Sequence, residues 1–472
     1  ADARYANAAE LHAAVNGHGS FVAPCNPEAH KNSLQAALAT ISNLVYSRSN
    51  VSANSTALRS GTNVYQASYT GGSWTGELKA YPVVYDATTK KEKVGTTPLW
   101  TAASQLKYST SRKVLSEGGT FPTAAAKAVL DAVDTDLVAY LKGDQSKELK
   151  FTGGKFRNRE NLLGDIVYSS PAFVEGNIPL TTPDTDDTVY VGANDGMLHA
   201  FNADNGSERF TYVPGGLNYS RLAELSKPTY PHYFFVDGPV VVSTREQTRT
   251  TTHPNGRNLL VGTLGRGGKG MYALDVTDSS DPKPLWDNTW SDAVGTGSKL
   301  DAGATSAWSD THKATMAHIT SAPFITRLNT GELAVITGNG LHLKDSNNNV
   351  TTGEVDQAAL FVINLETGAV IKEIRLEGTD NSLSAPRGWD QDRDGDVDYV
   401  YAGDLQGNLW KFDLTSDKAD SWDVAFKSGG KSAPMFVALG PDGETRQPIS
   451  GGVTIAVNPD TFQRMVLFGT GR

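Results

Sequence analysis

One cysteine, Cys25, stands in 472 residues. An internal disulfide is therefore excluded, and with it a disulfide-stapled framework. The chain also lacks a basic excess: 42 Lys and Arg face 52 Asp and Glu, a formal net charge of −10. Nucleic-acid binders carry a basic patch, so no nucleic-acid partner is expected. An acidic balance suits a protein that holds a cation. No run approaches 18 consecutive apolar residues, which excludes a helical membrane span. Ala1-Asp2-Ala3-Arg4 carries no signal peptide, which leaves a cytosolic protein or a processed part of a secreted chain. Helix-type periodicity is sparse after about residue 145.

What the chain does have is glycine, 47 residues, and 8 Trp with 17 Tyr. Such a composition reads as many short strands joined by turns. It also has an unusual acidic run, Trp389-Asp390-Gln391-Asp392-Arg393-Asp394-Gly395-Asp396-Val397-Asp398. Five aspartates at alternate positions repel one another and are not expected in a core, because an unpaired buried carboxylate costs several kcal/mol or more. A divalent cation removes the repulsion. Asp390, Asp392 and Asp394 occupy positions 1, 3 and 5 of a calcium loop, Gly395 the sharp turn at position 6. Asp396 at position 7 offers its backbone carbonyl, and Asp398 at position 9 a carboxylate, direct or through water. Position 12 is Tyr401, so the bidentate Glu of an EF-hand is missing, and the flank Tyr399-Val400-Tyr401 is strand-like. The spacing predicts a short, strand-flanked Ca²⁺ loop over 390–398. Mg²⁺ fits less well, since it keeps more of its waters.

Along the chain, residues 1–50 predict a short helical segment and linker. Asn26 caps it, Pro27 takes the first helical position, and Leu34, Leu38 and Ile41 form one face. Strands are predicted from residue 63 on, at 63–69 and 74–81, with hairpin material over 83–100. A helical insertion is predicted over 124–142, its apolar face made by Ala126, Val129, Leu130, Val133, Leu137 and Tyr140. Residues 145–160 are polar and basic and read as an exposed loop.

From Gly164 one unit recurs. A short apolar strand ending in glycine leads to a second strand with aromatic residues, then Asp or Asn and a turn. Thr188 to Gly206, Asn258 to Val276, Ala334 to Gly368 and Tyr399 to Leu414 are four copies, and Arg464 to Arg472 starts a fifth. A strand with Pro or Gly precedes most of them. Four-strand repeats of this kind predict a β-propeller, in which each sheet buries its faces against its neighbours. Gly192, Gly262, Gly338 and Gly403 are expected where backbones crowd.

The segment Asp195-Gly196-Met197-Leu198-His199-Ala200-Phe201 resembles the quinoprotein propeller repeat. A closer likeness covers nearly the whole chain. Leu163 to Pro171, Val191 to Phe201, Gly270 to Val276, and Ala402-Gly403-Asp404-Leu405-Gln406-Gly407-Asn408-Leu409-Trp410 resemble the C-terminal domain of the PilY/PilC family of type IV pilus biogenesis factors and tip adhesins. The resemblance implies a modified, quinoprotein-like, all-β propeller over 51–472 with insertion-bearing blades. It implies that residues 1–50 are the tail of a preceding von Willebrand A-like region. It implies a calcium loop at 390–398 that controls pilus extension and retraction, twitching motility and surface adhesion. Its implied partners are the major and minor pilins of the pilus machinery and the host-cell surface. The implied place is the pilus tip at the cell surface, reached through periplasm and outer membrane.

Two rivals are set beside this reading. A PQQ-dependent dehydrogenase normally has adjacent cysteines at its cofactor, whereas Cys25 is alone, so no enzyme is expected. A generic extracellular propeller that binds protein or glycan is the other. The remaining motifs have plain readings. His199 is expected to be structural, and Gly262 to Gly270 a turn rather than a phosphate cradle, as it lacks Gly-Lys-Ser/Thr. Asp345 to Thr351, with Asp356, reads as a polar hairpin loop rather than a second calcium loop. Trp100, Trp286 and Trp410 are expected between blades.

Overall fold

Alternation with period two places both faces of each strand pair in apolar surroundings, and five successive sheets result. The computed structural model describes residues 50–53, 62–176, 187–291, 308–344, 354–458, 460–461 and 463–471. The helix predicted within residues 1–50 lies outside them, as does the 345–351 loop. The first sheet contains Asn50–Ala53, Asn63–Thr70, Thr75–Asp86, Lys91–Val94 and Trp100–Thr101. The second is built on Ala172–Val174, Thr188–Ala193, Met197–Asn202 and Glu208–Val213, and Val114–Ser116 joins its far edge in parallel. The third runs Val240–Val242, Leu259–Thr263, Lys269–Asp275, Lys283–Trp290 in simple antiparallel order. The fourth follows the same plan with Phe324–Leu328, Leu333–Gly338, Ala359–Asn364 and Val370–Arg375, and the fifth with Arg387–Trp389, Tyr399–Gly403, Asn408–Asp413 and Asp423–Val424. The start of the fifth copy, Arg464–Leu467, pairs in a hairpin with the preceding strand Thr454–Val457.

The core is a series of layers between sheets. In the third sheet Leu260, Tyr272 and Leu274 face the second sheet's Tyr190, Phe210 and Tyr212. Their sequence neighbours Leu259, Val261, Met271 and Ala273 face the fourth sheet's Val335, Phe361 and Ile363. One residue of register therefore decides which neighbour a side chain meets. All these side chains are buried. Each contributes roughly 1.5–3 kcal/mol by the usual transfer scale if large.

The three tryptophans do pack between sheets. Trp100 and Trp286 also donate their indole N–H to the next sheet, at Ala203 O (2.8 Å) and Leu365 O (2.9 Å). Beneath each ring lies a glycine at positive φ, Gly206 and Gly368, where a Cβ would strike the indole. Of the four glycines expected at crowded backbone, Gly192 and Gly338 meet carbonyls of Val236 and Leu383. Gly262 and Gly403 instead make room for side chains, Tyr272 and Ile449.

Two expectations need correction. The insertion is not one helix but two, Ala124–Val133 and Leu137–Leu141. Asp134 leaves helical geometry, and its carboxylate accepts the amide of Asp136, a turn that competes with the helix. The predicted stripe is cut there: Ala126, Leu130, Leu137 and Tyr140 are buried, whereas Val129 and Val133 are exposed. The 145–160 loop is not simply exposed. Glu148 is fully buried, bonded to the Arg159 guanidinium at 2.8 Å, and that guanidinium lies 3.7 Å from the Tyr140 ring centre.

Candidate metal centre

The 390–398 loop connects the first two strands of the fifth sheet. Trp389 and Tyr399 face each other across the base, and the Asp398 amide donates to Trp389 O at 3.0 Å. Between these posts the chain must reverse within nine residues. Arg393 (φ 68°) and Gly395 (φ 100°) make that reversal in the left-handed region, which glycine enters without a Cβ penalty. The turn residue required at position 6 is thus where the spacing placed it.

The aspartates turn inward on their own backbone. Asp390 accepts the amides of Arg393 and Gly395, Asp392 that of Asp394, Asp394 that of Asp396, and Asp398 that of Gln391. Carboxylate oxygens of Asp390, Asp392 and Asp398 lie within 4.8 Å of one another. Asp394 stays exposed with its carboxylate toward the Asp396 amide, outside that trio. Asp396 is half-buried, and its Oδ1 has no hydrogen-bond partner.

The electrostatics are those of crowded like charges. The Asp394 amide draws the Asp392 carboxyl down, but desolvation and the charges of Asp394, Asp398 and Asp390 together leave it raised. Burial, then Asp394, raises Asp396, with Arg327 pulling the other way. Three convergent carboxylates, all hard oxygen donors, form a donor set whose chemistry fits Ca²⁺. Asp390, Asp392 and Asp398 would hold it. The ion would supply charge neutralisation, since it does no redox chemistry.

Two features escaped the spacing argument. Asp398 is only 7% exposed, although the run reads as one that avoids the core. It is tolerated because it accepts the Gln391 amide at 2.6 Å, and Asn329 Nδ2 stands 3.5 Å from its other oxygen. Nor is the loop confined to one sheet. Asp396–Val397 pairs in parallel with Arg327 and Leu328 of the fourth sheet before the chain re-enters the fifth at Tyr399. Two-residue pairings leave no periodic signal in a sequence.

A second charged cluster lies at the second sheet. His199 Nδ1 is 2.9 Å from Glu208 and its Nε2 3.0 Å from Asp195, and Arg112 grips Glu208 with two N–H groups at 2.6 and 2.9 Å. His199 is therefore structural, as expected, but the network around it was not foreseen. Its members sit far apart in sequence. The Gly262 to Gly270 segment is a short turn between two strands, Leu259–Thr263 and Lys269–Asp275. Asp356, proposed with the 345–351 loop, forms an ion pair with Lys344 at 3.0 Å.

Sheets stacked face to face, with an acidic loop set into the seam between two of them, define a β-propeller of the insertion-bearing, quinoprotein-like kind. No helix among the described residues is long and apolar enough to cross a membrane. The chain belongs to the PilY1 β-propeller domain family, whose profile matches residues 163–472. It is 32% identical to the type IV pilus biogenesis factor PilY1 of Pseudomonas aeruginosa strain PAK, over 98% of this chain and 42% of that protein. It is 34% identical to a PilY1 homologue of Xylella fastidiosa, over 89% of this chain and 32% of the relative. The chain thus spans less than half the length of these curated relatives. The crystal structure of the P. aeruginosa PilY1 C-terminal domain is 33% identical, with a TM-score of 0.44 over 61% of this chain and 53% of that one.

Proposed function

We propose that this chain is the calcium-binding propeller of a type IV pilus biogenesis factor and tip adhesin. In this reading it acts at the cell surface, at the pilus tip, after export through periplasm and outer membrane. It works with the major and minor pilins and meets the host-cell surface. Its role is to bind and be switched rather than to catalyse. The observation that carries the reading is the convergence of Asp390, Asp392 and Asp398 within 4.8 Å in a chain of the PilY1 family.

The mechanism is local. Without a cation the loop's carboxylates repel and the turn loosens. With Ca²⁺, Asp390, Asp392 and Asp398 would share one centre and the turn would be fixed. A partner that prefers the fixed form is then calcium-gated, because a ligand shifts an equilibrium only through differential affinity for its two states. Extension, retraction, twitching motility and adhesion follow from that gating. The test has two arms. Calorimetric titration with Ca²⁺ should show binding to the wild type and none to Asp390→Ala/Asp392→Ala. A strain carrying that double variant should lose normal pilus extension and twitching. Equal binding by wild type and variant would remove the site, and normal twitching in the variant strain would remove the pilus role.

A further inference from the structure

The hydrogen bonds of the 390–398 loop continue past its own backbone into the fourth sheet. Asp396–Val397 forms a fifth strand on the fourth sheet, pairing Asp396 with Arg327 and Val397 with Leu328. Val397 is buried in the core layer between the two sheets, with Leu328, Ile336, Val400 and Phe412. Just beyond Phe324–Leu328, Asn329 Nδ2 donates to Val397 O at 3.1 Å and Leu414 O at 3.2 Å, and faces Asp398 Oδ1 at 3.5 Å. Leu414 in turn donates its amide to Asp398 O at 2.8 Å. One amide side chain of the fourth sheet thus touches both ends of the ligand residue's neighbourhood in the fifth.

On the other side, Arg327 Nε lies 4.0 Å from Asp396 Oδ1, while its Nη2 donates to the carbonyls of Gln247 and Arg249 at 3.0 Å. Gln247 Nε2 returns a bond to Ile325 O at 3.0 Å. Those carbonyls belong to the loop between two strands of the third sheet. A continuous polar path therefore runs from the acidic loop across the fourth sheet to the third.

We infer that Ca²⁺ in the 390–398 loop is a clasp between neighbouring sheets, with Asn329 and Arg327 as positioning residues on the fourth sheet. This rests on the calcium reading above and adds where its effect is felt. The physical reason is the weakness of the added strand. A two-residue pairing has few ladder bonds, so the repulsion of the flanking carboxylates is enough to loosen it. A bound cation cancels that repulsion and lets Val397 and Asp398 settle against Leu328 and Asn329. Outer groups that orient a metal ligand commonly govern about tenfold or more of metal affinity, and Asn329 has that relation to Asp398.

Hydrogen–deuterium exchange on the 472-residue chain, with CaCl₂ and with chelator, tests this. Calcium should slow exchange not only in peptides covering 389–398 but also in those covering 322–329 and 244–250, by about fivefold or more. Asn329→Ala should weaken Ca²⁺ binding about tenfold by calorimetry. At saturating Ca²⁺ it should keep protection at 389–398 and lose it at 322–329. Arg327→Ala should abolish the calcium response at 244–250 alone, and Arg327→Lys should restore part of it. If Ca²⁺ binds and protects 389–398 only, the clasp is wrong and the calcium reading stands. If no heat of Ca²⁺ binding appears in the wild type, both fall. The wild-type comparison decides the matter even where a variant fails to fold.

Discussion

Two regions of this molecule crowd carboxylates together, and they resolve the repulsion in opposite ways. In the second sheet Glu208 and Asp195 are met by Arg112 and His199, which the chain itself supplies. Burial opposes the imidazolium, yet Asp195 and Glu208 outweigh it and hold His199 up to about 9. Burial likewise opposes the Glu208 carboxylate, but Arg112 and His199 bring it down to about 2. That cluster is complete. In the 390–398 loop five aspartates share one cation of their own, Arg393, and Asp392 and Asp396 are raised instead of lowered. A self-paired cluster is a fixed strut. A cluster short of positive charge leaves its like charges to repel one another.

The contrast breaks most visibly in the strut. Glu208→Ala should leave the buried Arg112 guanidinium without its carboxylate and His199 with Asp195 alone, a loss of about 3–5 kcal/mol in denaturant unfolding, the same with and without calcium. Next in size is the loop's response to its ion. Saturating Ca²⁺, at about 100 times its dissociation constant, should stabilise the wild type by ~2.7 kcal/mol. Asp390→Ala/Asp392→Ala should erase that gain while leaving stability in chelator unchanged or slightly higher, since repulsion is relieved. Within the loop, Asp398→Ala should cost about an order of magnitude more Ca²⁺ affinity than Asp394→Ala, because only Asp398 belongs to the convergent trio. An equal cost would mean that the loop closes further around the ion.

The strut is also read by pH dependence. A raised His contributes stability in full below its unfolded value of 6.5 and loses it as pH rises through about 9. Glu208 does the reverse, contributing above 4.5 and losing stability as pH falls toward about 2. Thermal unfolding between pH 7 and 10 should therefore show a downward slope that shrinks in His199→Gln.

Much of the fold was legible because it repeats. Thr188 to Gly206 and its three later copies announce the same strand pair four times, and their continuous apolar runs mark strands buried on both faces. The 124–142 insertion was less legible: a stripe at three- and four-residue steps ran straight through Asp134, where a local Asx turn wins over helix propensity. Residues 145–160 were misread because Glu148 and Arg159 look solvated as individual charges and become buried only as a pair.

The sequence by itself determined the loop's chemistry. Alternate aspartates and a glycine at position 6 are a local pattern, and local backbone geometry follows from them. It also determined the succession of sheets, since the recurring strand pair is read directly along the chain. Only the tertiary structure decided that Asp398 is buried, that Asp390, Asp392 and Asp398 converge while Asp394 does not, and that the loop's last strand belongs to the neighbouring sheet. Each of these depends on partners such as Asn329 and Arg327, about 70 residues away. Their burial and hydrogen bonding exist only once the sheets have stacked.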